Sequence, residues 1–332
     1  MAVDTSSLPG VGRRGFIAGA AVVTADLAIT TESARAVSSA TLAGEFVRRD
    51  VWTLGTPWNA YTEAYARAVA LMQSREPDDP TSWYFQAAIH GTFVRPAHPS
   101  WNQCQHQSWH FLPWHRMFVY FMERIVRAAI AEVGGPDDWA MPYWNYATPF
   151  PGSTLPMAFR VPTLPDGSPN ALYLPTRRST AIMEGFELST RVTDAAKAMN
   201  RIPFAASADR AKTSFGGGIL PPAQFAGALG MLETQPHNGV HTQVGSKSRA
   251  SCTGGFMSAV PCAANDPIFF LHHANIDRLW NVWLGMGGGR ANPTDAAWRN
   301  QTFTLYDETG QAVTLANSQV VDAAGQLGYV YA

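Results

Sequence analysis

The 332-residue chain is 46% apolar, enough to bury a real core as one large domain or two small ones. Its 24 basic and 25 acidic residues leave a formal charge of −1, and no basic stretch offers a nucleic-acid footprint. Three cysteines are too few for a disulfide framework, and the odd number leaves at least one with another fate.

In chain order, Arg13 and Arg14 precede Phe16 and a weakly apolar stretch to about Ile29, and Ala34-Arg35-Ala36 has the form of a cleavage site. Residues 1–36 therefore read as a twin-arginine-type export signal, with 37–332 as the mature domain of a secreted protein. Asp26 interrupts the apolar stretch and argues against a membrane span. Asn59 to Gln73 carries Tyr61, Tyr65, Ala68, Val69 and Met72 at helical spacing, and Trp83 to His90 reads as a short helix stopped by Gly91. The run His115 to Val133 is the longest expected helix. Phe118, Phe121, Met122, Ile125, Val126 and Ala129 form its apolar stripe, and Gly134-Gly135-Pro136 ends it. Residues 147–180, rich in Pro, Gly, Ser and Thr, read as an ordered surface excursion. Pro236 is expected to open a helix through His241, and Pro267 another through about Trp283. The tail from Thr302 to Ala332 reads as short strands and turns. The fold expected is mainly α, a four-helix bundle with long loops and a few short strands.

Eight of the nine histidines fall within or beside two segments. His237 and His241 stand four apart and share one helical face, so they could chelate one ion. His273 and Asp277 have the same spacing, which suggests His273 as a ligand and Asp277 as a supporting or helix-fixing partner. In the first segment, His106 precedes Pro113 in a loop and His115 begins the long helix, with His90 completing a second trio. Imidazoles without carboxylates disfavour magnesium, calcium and manganese and leave zinc, copper or nickel. Alone, a His-x-x-x-His pair is more often structural. The zinc-protease form needs Glu where Asn238 stands. His98 reads as surface and His110 as a packed residue. His272 points to a different face from His273 and is expected to make a structural hydrogen bond.

These residues carry a resemblance. His106-(four residues)-Phe111-Leu112-Pro113-Trp114-His115-Arg116-(two)-Val119-(three)-Glu123 resembles the first copper signature of the tyrosinase family. Asp266-Pro-Ile-Phe269-Phe270-Leu-His272-His273-(three)-Asp277 resembles the second, and His237-Asn-Gly-Val-His241 the intervening pair. The match runs from about Val47 to Tyr331. It implies a four-helix bundle around a type 3 dicopper centre, with His90, His106 and His115 on copper A and His237, His241 and His273 on copper B. Cys104-Gln-His106 is similar to the Cys-x-His of fungal members, which implies a thioether between Cys104 and His106. Cys252 and Cys262 then remain as a pair, and in an exported protein a disulfide there would contribute about 2–3 kcal/mol. Val260, thirteen residues before His273, stands where a bulky aromatic restricts phenol access in some members. Glu233 and Asn238 resemble the pair that holds an ordered water as the base for phenol deprotonation. Thr242 departs from an Arg found in some bacterial members. Leu327-Gly-Tyr329-Val-Tyr331 resembles the motif closing the catalytic domain, with Arg48 or Arg49 as its partner; the chain stops at Ala332 without a C-terminal shielding domain.

The resulting expectation is a tyrosinase or polyphenol oxidase with two copper ions, using O2 to hydroxylate small monophenols ortho and to oxidise o-diphenols to o-quinones. No nucleic acid and no membrane after export are expected as partners, while a copper-delivery helper protein is an open one. A catechol oxidase or o-aminophenol oxidase is the nearest alternative. A haemocyanin-like oxygen carrier and a hydrolytic dizinc protein are alternatives of other classes.

Overall fold

The computed structural model describes residues 46–95, 97–177, 180–245, 252 and 255–332. The export signal expected at 1–36 lies outside the described residues. Five helices carry the architecture: α1 (Ala60–Ser74), α2 (Trp83–His90), α3 (Phe111–Glu132), α4 (Asn238–Val244) and α5 (Ile268–Gly285). The fold is mainly helical, as the sequence implies, and among the described residues no helix is long and apolar enough to cross a membrane.

Each helix follows from local chemistry. Asn59 caps α1: its side chain accepts from the Tyr61 and Thr62 N–H groups, and the Thr62 hydroxyl oxygen returns the bond to Asn59 N–H. Tyr65, Ala68, Val69 and Met72 then bury one face against α3. The α3 stripe from Phe118 to Ala129 is buried throughout. A fully buried side chain of the Phe, Ile, Val or Met kind stabilises by roughly 1.5–3 kcal/mol, so this stripe is a main anchor of the core. Two helix starts differ from expectation. α3 begins four residues early, at Phe111, because Pro113 sits in the first turn, where no backbone N–H is needed. α4 begins late, at Asn238, because Gln235 is extended (φ −155°) and breaks the turn around Pro236.

The strands are short. β1 (Phe46–Arg48) pairs in parallel with β4 (Tyr329–Tyr331), placing Arg48 opposite Tyr331. Between them in sequence, β2 (Thr302–Tyr306) and β3 (Ala312–Ala316) form an antiparallel hairpin. Arg48, rather than Arg49, ties the ends together. Its guanidinium lies 3.6 Å from the Tyr329 ring centroid, bonds Tyr331 Oη at 2.9 Å and pairs with Glu123 at 2.7 Å. The segment expected as a surface excursion does more than cover the surface. Leu155, Phe159 and Leu172 are fully buried, and Arg177 makes a two-pronged ion pair with Asp266 at 2.7 and 2.9 Å. That pair anchors the segment just before α5, where the second histidine cluster begins.

Candidate metal centre

Four helices and one loop bring the histidines together. His90 ends α2, His115 lies in the second turn of α3, His237 and His241 flank and line α4, and His272 and His273 sit in α5. His106 comes from the loop before α3. The chain can bring α2 this close because residue 91 is glycine: a Cβ there would meet the Val260 carbonyl oxygen at 2.8 Å and Pro261 Cα at 2.9 Å. That contact also serves His90, whose Nδ1–H donates to the Val260 carbonyl at 3.1 Å.

The same device recurs. His115 Nδ1 donates to the Phe111 carbonyl at 2.8 Å, His241 Nδ1 to the Met257 carbonyl at 2.6 Å and His237 Nδ1 to Asn238 Oδ1 at 3.1 Å. An oxygen that can only accept fixes the proton on Nδ1 and leaves Nε2 with a bare lone pair. The Nε2 atoms of His90, His115 and His237 are buried and have no partner among the described residues, and His241 Nε2 lies within hydrogen-bond distance of His273 Nε2 at 3.2 Å. Buried lone pairs aimed at one another are costly unless a cation lies between them.

The rings form two adjoining trios. His106 lies 5.4 Å from His90 and 5.0 Å from His115, and His90 lies 5.6 Å from His115, centroid to centroid. His237 lies 4.5 Å from His241 and 4.9 Å from His273. Across the two, His115 and His273 stack at 4.5 Å. The ligand atoms of His237, His241, His272 and His273 fall within 4.8 Å of one another, as do those of His90, Cys104 and His106, so each group could hold a metal ion. Burial pushes all these imidazoles down, His106 to about 3 and His241 to about 4, which keeps them neutral and able to ligate.

A cavity of about 230 Å3 opens onto both trios and is lined also by Glu233, Asn238, Thr242, Phe225 and Val260. Glu233 is buried, and both its oxygens accept from Gln107 N–H at 2.9 Å. Burial pushes its carboxyl up to about 8, against the pull of that N–H. Cys104 is buried beside His106, and burial pushes its thiol up to about 12. Cys252 and Cys262 form a disulfide.

Four other residues can now be placed. His110 is packed, its Nδ1 bonded to Asn317 Nδ2 at 3.1 Å, and His98 is exposed. His272 overturns an expectation: neither of its ring nitrogens has a hydrogen-bond partner among the described residues. It is packed between Tyr146 and the rings of His237 and His241. Asp277 takes the helix-fixing role. It accepts from Arg116 and, at 2.6 Å each, from the hydroxyls of Tyr329 and Tyr331, while His273 Nδ1 has no partner among the described residues. The sequence reading missed Gln107, Gln224 and Phe225, because their roles depend on contacts between distant segments that leave no local pattern.

Comparison with known proteins agrees with this geometry. Residues 80–286 match the common central domain of tyrosinase and residues 292–332 the polyphenol oxidase middle domain. Tyrosinase HcTyr1 of Hahella sp. (strain CCB-MM4) is 40% identical over 296 residues, covering 80% of this chain and 59% of that protein. Polyphenol oxidase II of Ipomoea batatas is 32% identical over 290 residues, covering 82% of this chain and 47% of that one. The chain thus spans about half to three fifths of the length of these relatives. Among solved structures, latent apple tyrosinase superposes with a TM-score of 0.69 at 27% identity, covering 88% of this chain and 63% of that one. Grenache grape (Vitis vinifera) polyphenol oxidase gives 0.67 at 28% identity, covering 87% and 85%. With two domain matches in order, relatives of this identity and a shared fold, the chain belongs to the tyrosinase and polyphenol oxidase family of dicopper enzymes.

Proposed function

We propose that this protein is a copper-dependent phenol oxidase that hydroxylates small monophenols ortho and oxidises o-diphenols to o-quinones. The observation that carries the reading is the pair of adjoining trios of neutral imidazoles, several with unpartnered buried Nε2 atoms, opening on a cavity with one buried carboxylate. Those residues fit two copper ions: His90, His106 and His115 would hold one, and His237, His241 and His273 the other. When bound, the copper pair would supply the activation of dioxygen and the electron transfer from the phenol.

The remaining chemistry belongs to the chain. A monophenol must lose its proton before it can act as a ligand, and Glu233, once bound copper cations favour its ionised form over the protonated form of the metal-free site, can take it, directly or through a water held with Asn238. Asn238 also holds the His237 ring through Nδ1. Val260 offers a small side chain at the cavity wall, which leaves room for an unsubstituted phenol ring. We read Cys104 and His106 as joined by a thioether in the mature enzyme, which would lock the His106 ring. Residues 1–36 we read as a twin-arginine export signal, with copper acquired before secretion.

The deciding experiment compares copper-loaded wild type with Glu233→Gln on a monophenol, an o-diphenol and an o-aminophenol. Loss of a positioned base should cut monophenol turnover roughly 100-fold or more while diphenol turnover stays within a small factor. Equal losses on both would refute the role of Glu233. Diphenol turnover without any monophenol turnover in wild type would make the protein a catechol oxidase, and reversible oxygen binding without turnover would make it a carrier.

A further inference from the structure

Residues 224–228 run as a strap across the loop that carries His106. Ala226 N–H donates to the His106 carbonyl at 3.1 Å and Ala228 N–H to the Gln107 carbonyl at 2.8 Å, which fixes the register of the two segments. In that register Phe225 lies nearly parallel to the His106 ring, with centroids 5.9 Å apart and planes at 17°. The Gln224 side-chain amide reaches inward. Its Nε2 lies 3.5 Å from Cys104 Sγ and 3.4 Å from the His90 carbonyl oxygen. A primary amide has two N–H groups, so Gln224 can donate to the sulfur and to the carbonyl at once.

We propose that Gln224 is a positioning residue that holds Cys104 Sγ against the His106 ring for carbon–sulfur bond formation, with Phe225 keeping the ring in plane. The proposal rests on the reading that Cys104 and His106 become cross-linked. In that reaction the S–H and one ring C–H are lost and one C–S bond forms. The two protons and two electrons released reduce one dioxygen to hydrogen peroxide at the copper-loaded site. A buried thiol without a fixed donor can rotate about its Cα–Cβ bond among staggered positions, and only some of these face the ring. The amide bond to sulfur selects among them, while the stacked Phe225 prevents the ring from turning away. Both partners of the new bond are thus held by one strap that is 120 residues away from Cys104 in sequence.

The test uses full-length protein purified without copper, then loaded with copper in air. Cross-linking is followed by intact mass, by peptide mapping and by alkylation of free thiol after denaturation. Wild type should lose two hydrogens between Cys104 and His106. Gln224→Met keeps the bulk but removes both donors. At equal bound copper, it should cross-link more slowly by roughly fivefold or more, the factor that one ordinary hydrogen bond represents. Gln224→Asn, which retracts the amide by one methylene, should fall between them and provides the result if the Met variant does not fold. Cross-linking of Gln224→Met at the wild-type rate overturns the positioning role alone. Two unmodified peptides from copper-loaded wild type overturn the cross-link itself, and this proposal with it.

Discussion

Replacing Glu233 with Gln should change how the metal-free protein responds to pH, and the structure sets both sign and size. Burial pushes the Glu233 carboxyl from an ordinary 4.5 up to about 8. The unfolded chain releases that proton near 4.5, whereas the folded chain keeps it to about 8. The folded state therefore binds more protons in between. Stability from this group is complete below 4.5 and is lost as pH rises through 8. At about 1.4 kcal/mol per pH unit, the whole interval amounts to something on the order of 5 kcal/mol. The buried imidazoles act with the opposite sign. His106 falls from 6.5 to about 3 and His241 to about 4, so the unfolded chain binds protons that the folded chain sheds, and stability is lost as pH falls below 6.5. Metal-free wild type should thus be most stable near neutrality and then decline by about 2 kcal/mol between pH 6.5 and 8, roughly 4 °C in Tm for a domain of this size. Glutamine does not titrate, so Glu233→Gln should abolish the alkaline decline and keep the acid limb. Thermal melts followed by circular dichroism from pH 5 to 9 measure both. A wild-type Tm that is flat or rising from 6.5 to 8, or an equal decline in the variant, would refute the reasoning.

Other perturbations have equally definite outcomes. Asp277→Asn removes the carboxylate shared by Arg116, Tyr329 and Tyr331, all of them buried or nearly so. It should lower unfolding stability in urea by about 3–5 kcal/mol, the cost of leaving a buried charge without its partner; a change under about 1 kcal/mol would show that Asn281 and the backbone carbonyls suffice for Arg116. Val260→Phe should narrow the cavity and raise KM for monophenols by about tenfold, the scale set by one misfitting group in a pocket. Copper content should not change, since His90 is bonded to the backbone of Val260 and not to its side chain. Replacing Cys252 and Cys262 together by Ala should cost about 2–3 kcal/mol in urea unfolding, as expected for a cross-link closing a short loop.

What could be read from the sequence was what depends on local spacing. The α3 stripe, the apolar face of α1 and the His237–His241 pair repeat at helical intervals, and the structure places them accordingly. Proline was a less faithful marker. Pro113 sits inside the first turn of its helix, while Pro236 precedes the start of its own by two residues, because the conformation of Gln235 decides where the helix can begin. His272 shows a second limit. Spacing suggested a different face of α5 from His273, but it does not say what a side chain meets, and His272 meets the other imidazoles. The contacts Gln107–Glu233 and Gln224–Cys104 are further still from local pattern, joining residues 126 and 120 positions apart.

Those two long-range contacts bear on how the site holds together. The segment 104–107 supplies Cys104, His106 and the N–H that binds Glu233. The segment 233–241 supplies Glu233, His237, Asn238 and His241. Glu233 thus joins the two segments through Gln107 N–H and, in the function proposed above, also takes the phenol proton, so removing its side chain would disturb both roles. Glutamine separates them, because its one carbonyl oxygen can still accept from Gln107 N–H while the group no longer takes a proton. If Glu233→Gln binds copper and forms the Cys104–His106 bond as wild type does, yet loses monophenol turnover alone, then the loss is one of proton transfer. If Glu233→Gln is normal in all three and Glu233→Ala loses all three, the carboxylate serves the joint, and the base for phenol must be found elsewhere in the cavity.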